Sequence, residues 1–112
     1  MLARYASDIE AHVRSHPISS LLDLLGRRWA LRVLWELRGE PLSYGALRDA
    51  CDEVSTSVLA KRLRELTDAG VVMSDDAGRY TLTKRGRELT ELLAPLNQFA
   101  IRWAGRGAQR HD

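Results

Sequence analysis

The sequence predicts a mainly α-helical domain carrying one small β-hairpin, and three observations predict it. Leu59, Leu63 and Leu66 recur at spacings of 4 and 3, which places them on one face of a helix, and Gly70 behind them suits the positive φ that stops a helix. Val71-Val72-Met73 and Arg79-Tyr80-Thr81-Leu82 read as two short strands around the turn signal Asp75-Asp76-Ala77-Gly78. A short helix over 44–51 precedes the Leu59 helix by about four residues, which is helix-turn-helix spacing. Helix, turn, helix and hairpin in that order make a winged helix-turn-helix, and apolar segments at both ends add N- and C-terminal dimerisation helices.

At 112 residues with 29% charged side chains, the chain is expected to be one ordered domain, 1–112. It divides into N-terminal helices (1–26), a winged-helix core (27–83), a C-terminal dimerisation helix (84–105) and a tail (106–112). No apolar run approaches the ~20 residues that span a bilayer, and no signal peptide is read at MLARYASDIE. One cysteine, Cys51, excludes an intrachain disulfide. A cytoplasmic protein without membrane contact is expected. Fifteen of the seventeen basic residues are arginine, for a net charge of +2. Residues 1–40 carry a net +1, 41–83 a net −2 and 84–112 a net +3, so the helix-turn-helix segment is not basic overall, which weighs against nucleic-acid binding.

Each element has its own signal. Over 2–15, Leu2, Ala6, Ile9 and Val13 line one side of an amphipathic helix that Pro17 ends. Ser19 or Ser20 is positioned to cap a short apolar piece, 21–25, stopped by Gly26. A helix over 27–38 buries Trp29, Ala30, Val33, Leu34 and Leu37 and ends at Gly39; Pro41-Leu42 then reads as a brief extended stretch. Ser43 caps 44–51, in which Leu47 faces the core, and Ser55 caps the next helix. Thr83 caps a last helix running to about Gly105, in which Leu89, Leu92, Leu96, Phe99 and Trp103 are spaced 3, 4, 3 and 4, an a/d seam for another helix. Pro95 interrupts it, so a kink or new start is expected near Ala94.

These residues together resemble the HxlR-type winged-helix regulators, with the MarR-like winged helices as neighbours. The resemblance is carried by Leu21-Leu22-Asp23-Leu24-Leu25-Gly26-Arg27-Arg28-Trp29, the run 31–37, Gly39 with Pro41, and Ser43-Tyr44 with Leu47. It continues through Val54-Ser55, Val58-Leu59 with Arg62-Leu63, Leu66 with Gly70, Tyr80-Thr81-Leu82-Thr83 with Gly86, and Trp103. It covers 16–103 and implies a cytoplasmic, homodimeric transcription factor, more often a repressor, that reads a pseudo-palindromic operator on double-stranded DNA. Three departures stand out. His16 occupies the place before Pro17 where the family often has a thiol-sensing cysteine. The wing is short and carries two aspartates. Ser57 and Ser43 stand where basic residues are common.

The expected DNA-binding residues follow from the outer face of the 55–68 helix and what flanks it. Ser57, Lys61 and Arg64 lie opposite the leucines and are assigned to base edges, with Arg64 also able to reach phosphate. Ser55 and Thr56 suit a phosphate at the first turn, Arg62 is assigned as a phosphate clamp, and Ser43 joins this surface. Arg79 with Lys84, Arg85 and Arg87 forms a second basic cluster, read either as phosphate neutralisation or as surface charge offset by Glu88 and Glu91. The alternative for Lys61 and Arg64 is pairing with Glu65 and Asp68 at i, i+4. The expected homodimer interface is Ile9, Val13, Leu92, Leu96, Phe99 and Trp103.

Other candidates are weaker. Asp8, His12 and His16 share a helix face, but a surface stripe is favoured over a metal site. Cys51, beside Asp52 and Glu53, is given a packing role over a redox one. Trp29 and Trp35 are read as core, with a small-molecule effector pocket against the dimer helices as the alternative. No catalytic constellation, metal or cofactor is expected. The rival to a DNA-binding regulator is a winged-helix protein-interaction module, favoured by the net −2 of 41–83 and the acidic wing.

Overall fold

The computed structural model describes residues 2–105, and the side chains of 7–105. Arg106 to Asp112, expected as a frayed tail, lies outside the described residues, as do the side chains of Leu2 and Ala6. The element order is α1 (Leu2–Ser15), α2 (Pro17–Leu25), α3 (Ala30–Glu36), α4 (Tyr44–Cys51), α5 (Thr56–Asp68), β1 (Val72–Ser74), β2 (Tyr80–Leu82) and α6 (Lys84–Gly105). The winged helix-turn-helix expected from the sequence is present: α4 and α5 form the helix pair and β1–β2 the wing. Among the described residues no helix is long and apolar enough to cross a membrane.

Capping fixes the centre of this order. The Ser43 Oγ accepts from the Ala46 N–H at 3.1 Å and the Ser55 Oγ from the Val58 N–H at 3.2 Å, each satisfying one orphan donor of a first helical turn. At the other end of α5 the Gly70 N–H donates to the Thr67 carbonyl and the Val71 N–H to the Leu66 carbonyl. With Gly70 at φ 79°, this is the Schellman closure. Because Val71 is spent on closing the helix, β1 begins at Val72, one residue later than the apolar run suggests. The hairpin is antiparallel in the register Val72↔Leu82, Met73↔Thr81 and Ser74↔Tyr80. The extended Leu42 joins it as a third, single-residue strand, exchanging both backbone bonds with Tyr80 at 2.9 and 2.7 Å.

Several boundaries depart from the sequence expectation. Helix α2 starts at Pro17, after His16 and without a side-chain cap, so neither Ser19 nor Ser20 caps it. Proline tolerates the first position because its missing N–H would be unsatisfied there anyway. Gly26 sits in the right-handed region at φ −77°, and the reversal falls instead on Trp29, at φ 77°. The turn takes up 26–29, so α3 begins at Ala30 and not at Arg27. It ends at Glu36 with Leu37 as its cap, short of Arg38, whose guanidinium donates to the Trp35 carbonyl at 2.8 Å. Pro95 does not break the last helix, which runs unbroken from Lys84 to Gly105 with the proline inside. Pro95 and Glu91 are both exposed, so the Glu91 carbonyl that loses its partner is on a side water reaches.

The core lies between α3, α4, α5 and the hairpin. It comprises Val33, Leu34, Leu37, Leu47, Cys51, Val54, Leu59, Leu63, Leu66, Val71, Val72 and Leu82. Helix α2 buries none of its residues, and α6 buries only Gly86 and Thr90. The start of α6 is tied to the wing through Thr83. Its Oγ1 donates to the Gly70 carbonyl at 2.6 Å and accepts from the Gly86 N–H at 3.0 Å, while its own N–H donates to the Val71 carbonyl. Gly86 packs directly on Val71: a Cβ there would overlap the Val71 carbonyl oxygen and come 3.2 Å from the Leu82 Cδ2.

Candidate nucleic-acid interface

Helix α5 presents two chemically different sides. Leu59, Leu63 and Leu66 are buried, and Ser55, Thr56, Ser57, Lys61 and Arg64 are exposed. The Tyr44 hydroxyl donates to the Thr56 carbonyl at 2.6 Å, fastening the start of α4 to the start of α5 and bringing Ser43 into the same surface. The Ser55 and Ser57 hydroxyls lie 3.4 Å apart. The caps occupy Ser43 and Ser55 as acceptors and leave both able to donate.

Glu65 does not pair with Lys61. Its Oε2 takes Arg27 Nη1 at 2.7 Å and its Oε1 takes Arg62 Nη1 at 3.1 Å. Among the described residues neither Lys61 nor Arg64 forms an ion pair, so the alternative of i, i+4 pairing with Glu65 and Asp68 is not realised. Arg64 lines an open cleft of about 340 Å³ between α5 and the hairpin, with Tyr44, Thr67, Asp68, Ser74 and Tyr80. Arg62 is placed differently: its side chain is only 14% exposed and its Nε donates to the Arg28 carbonyl at 2.7 Å. The fork expected to clamp a phosphate is engaged inside the protein.

The second cluster is also partly engaged. Asp75 organises the wing turn, its Oδ1 accepting from the Ala77 and Arg79 N–H groups at 2.9 Å each and its Oδ2 pairing with Arg79 Nε at 3.1 Å. The Arg79 N–H hydrogen bond, more than any other influence, holds the Asp75 carboxyl below its ordinary range. One of the two wing aspartates is therefore the turn's own fastening. Asp76 remains exposed at the tip. Arg87 donates to the Leu82 carbonyl at 3.0 Å. Lys84 and Arg85 are exposed, and Arg85 passes near Gly70 at the C-terminal end of α5, where a cation is favourable.

The remaining candidates resolve into local structure. Cys51 is 1% exposed, and burial pushes its thiol up against the opposing pull of Arg32, so it packs as a small apolar side chain. The His12 and His16 rings stack 4.5 Å apart. Among the described residues no three potential ligands, Asp8 included, converge on a metal position. The Arg38 guanidinium lies 3.8 Å over the Trp35 ring and Arg28 lies 5.6 Å from that of Trp29, cation–π contacts that roof both tryptophans.

The sequence reading missed the Arg27–Glu65–Arg62 network and the role of Asp75. The i, i+3 spacing of Arg62 and Glu65 and the position of Asp75 at the head of the turn were available signals. The link from Arg27 to Glu65, across 38 positions, had none.

Comparison with known proteins agrees with this geometry. The profile of the HxlR-like helix-turn-helix family matches residues 24–108. An uncharacterised helix-turn-helix transcriptional regulator of Synechocystis is 34% identical over 93 residues, spanning 78% of this chain and 69% of that protein. One of Methanocaldococcus jannaschii is 30% identical over 88 residues, spanning 75% and 82%. Among solved structures, quinone-bound YodB of Bacillus subtilis superposes with a TM-score of 0.71 at 26% identity, covering 78% of this chain and 97% of that one. A possible HxlR-family transcription factor of Thermoplasma volcanium superposes with a TM-score of 0.69 at 25% identity, covering 78% and 83%.

Proposed function

Because the chain belongs to the HxlR-like helix-turn-helix family and is a transcriptional regulator with a helix-turn-helix fold, we propose that it represses transcription by binding a pseudo-palindromic operator as a homodimer. The observation that carries this reading is the division of labour on α5. Glu65 is saturated by Arg27 and Arg62, which leaves Lys61 without it, and among the described residues Lys61 and Arg64 are both exposed and in no ion pair, beside Ser57 on the helix's outer face. In this reading Ser57, Lys61 and Arg64 meet base edges in the major groove. Ser43, Ser55, Thr56, Lys84 and Arg85 meet backbone phosphates, and Arg79 adds only what its pairing with Asp75 leaves free.

Homodimerisation is supported by Ile9 and Val13 on α1 and Leu92, Leu96, Phe99 and Trp103 on α6, all of which stand exposed. Large apolar side chains grouped in this way mark an interaction surface. A two-fold dimer would present two α5 helices to half-sites about one helical turn apart or a multiple of it.

The test is selection of duplexes from a random pool, followed by anisotropy titration of the enriched duplex across salt. A salt-sensitive complex with two related half-sites is expected, lost on joint Lys61→Ala and Arg64→Ala substitution. No affinity for any duplex at low salt would sink the proposal. That result would favour a protein-interaction module, the reading supported by the net −2 of residues 41–83.

A further inference from the structure

We propose that Arg62 and Glu65 are positioning residues, which set the angle at which α5 meets its target by clamping it to the turn between α2 and α3; the proposal rests on the DNA-binding reading above. Arg62 lies between the exposed Lys61 and the buried Leu63, and its side chain turns inward. Nε reaches the Arg28 carbonyl at 2.7 Å and Nη1 reaches Glu65 Oε1 at 3.1 Å. Glu65, itself 18% exposed, uses its other oxygen for Arg27 Nη1 at 2.7 Å. Two side chains one turn apart on α5 thus hold two consecutive residues of the 26–29 turn.

That turn has need of such a hold. It passes through Trp29 at φ 77°, and α3 starts there without a side-chain cap. Left-handed backbone at a bulky residue persists only where its surroundings enforce it. The clamp consists of charge-assisted hydrogen bonds whose central pair, Arg62 and Glu65, is only 14% and 18% exposed, while Arg27 reaches it from the half-exposed rim. It also occupies both oxygens of the carboxylate one turn beyond Lys61, so Lys61 extends without an intrahelical partner.

A positioning residue and a phosphate clamp respond differently to substitution. Lysine at position 62 keeps the charge that a phosphate would meet, but cannot make the two directed bonds of the guanidinium fork. In the full chain, Arg62→Lys is expected to weaken the selected duplex about tenfold, a loss of the size of one mismatched base pair. Its affinity for a random duplex of equal length and its salt slope should stay unchanged. Glu65→Gln removes a negative charge from the DNA-facing helix and is nonetheless expected to weaken the selected duplex; simple electrostatics would strengthen it. Lys84→Ala, which removes a proposed phosphate contact, is the contrast, lowering the salt slope by about 0.9.

Wild-type affinity in Arg62→Lys overturns the proposal, as does a salt slope lowered by about 0.9 in Arg62→Ala, the mark of a lost phosphate contact. Amide hydrogen exchange decides the clamp without DNA. Faster exchange at Ala30 and Val33 relative to Leu66 is expected in Arg62→Lys, and unchanged exchange overturns the proposal even if the wild-type chain binds no duplex.

Discussion

Val33, Leu34, Leu47, Leu59, Leu66 and Val72 are each no more than 1% exposed, whereas Ile18, Leu22, Leu92, Phe99, Ile101 and Trp103 each keep more than half of their surface in solvent. The first group belongs to α3, α4, α5 and the hairpin, the second to α2 and α6. The amphipathic helices are of the same kind in both regions, and their surroundings differ. Between α3, α4, α5 and the hairpin the apolar faces meet one another, with only Leu31 and Met73 left in solvent among the large apolar side chains described there. Along α2 and most of α6, one apolar face meets nothing among the described residues. A buried leucine contributes about 1.5–3 kcal/mol relative to an exposed one. The centre therefore supplies most of the stability of the fold, and the exposed faces of the terminal helices contribute little to it unless the proposed homodimer covers them.

The hardest test of this contrast is Gly86→Ala, at the joint between the two regions. The added methyl would overlap the Val71 carbonyl oxygen, part of the rigid backbone that closes α5 and opens the wing. A loss of about 3 kcal/mol is expected in denaturant titrations, with the wing and α6 displaced together. Wild-type stability would mean that the Thr83–Gly86 joint is looser than its hydrogen bonds imply.

A second test separates the regions. Joint Leu96→Glu and Phe99→Glu substitution is expected to leave the denaturant midpoint of dilute monomer within about 0.5 kcal/mol of wild type, as for surface changes. It should abolish self-association in sedimentation equilibrium. Unfolding of the monomer by this pair would show that α6 supports the core after all.

The smallest expected effect lies at the wing. The Asp75 carboxyl has a folded pKa below its unfolded value of about 3.9, held down by the Arg79 N–H. Its stabilisation is therefore present above that value and fades as pH falls through the lower folded value. Wild type should melt slightly above Asp75→Asn at pH 6, and the gap should close below about pH 4. A gap independent of pH would assign the effect to turn geometry alone.

Elements whose signals are local were legible along the chain. Serine hydroxyls cap α4 and α5, apolar spacings of 3 and 4 pick out their buried faces, and Asp75 to Gly78 marks the turn; all act within a few residues. The start of α3 was not legible, because Trp29 adopts a left-handed conformation that no aromatic chooses unaided. Nor was the continuity of α6 through Pro95, which depends on which side of the helix water reaches. Lys61 and Arg64 could be read as outward-facing from periodicity, but their freedom from Glu65 and Asp68 could not.

Which charges are free is thus a tertiary fact. Arg62 and Lys61 are neighbours with the same charge on the same helix, and nothing in the local pattern separates a residue that faces inward from one that faces a ligand. The separation comes from Arg27 and Arg28, more than thirty positions earlier, which α2 and α3 bring against α5. Local hydrogen bonding and apolar periodicity suffice to place helices, strands and turns, since their energies are settled between near neighbours. The competition among distant charges for one carboxylate is settled only once the chain has folded around it.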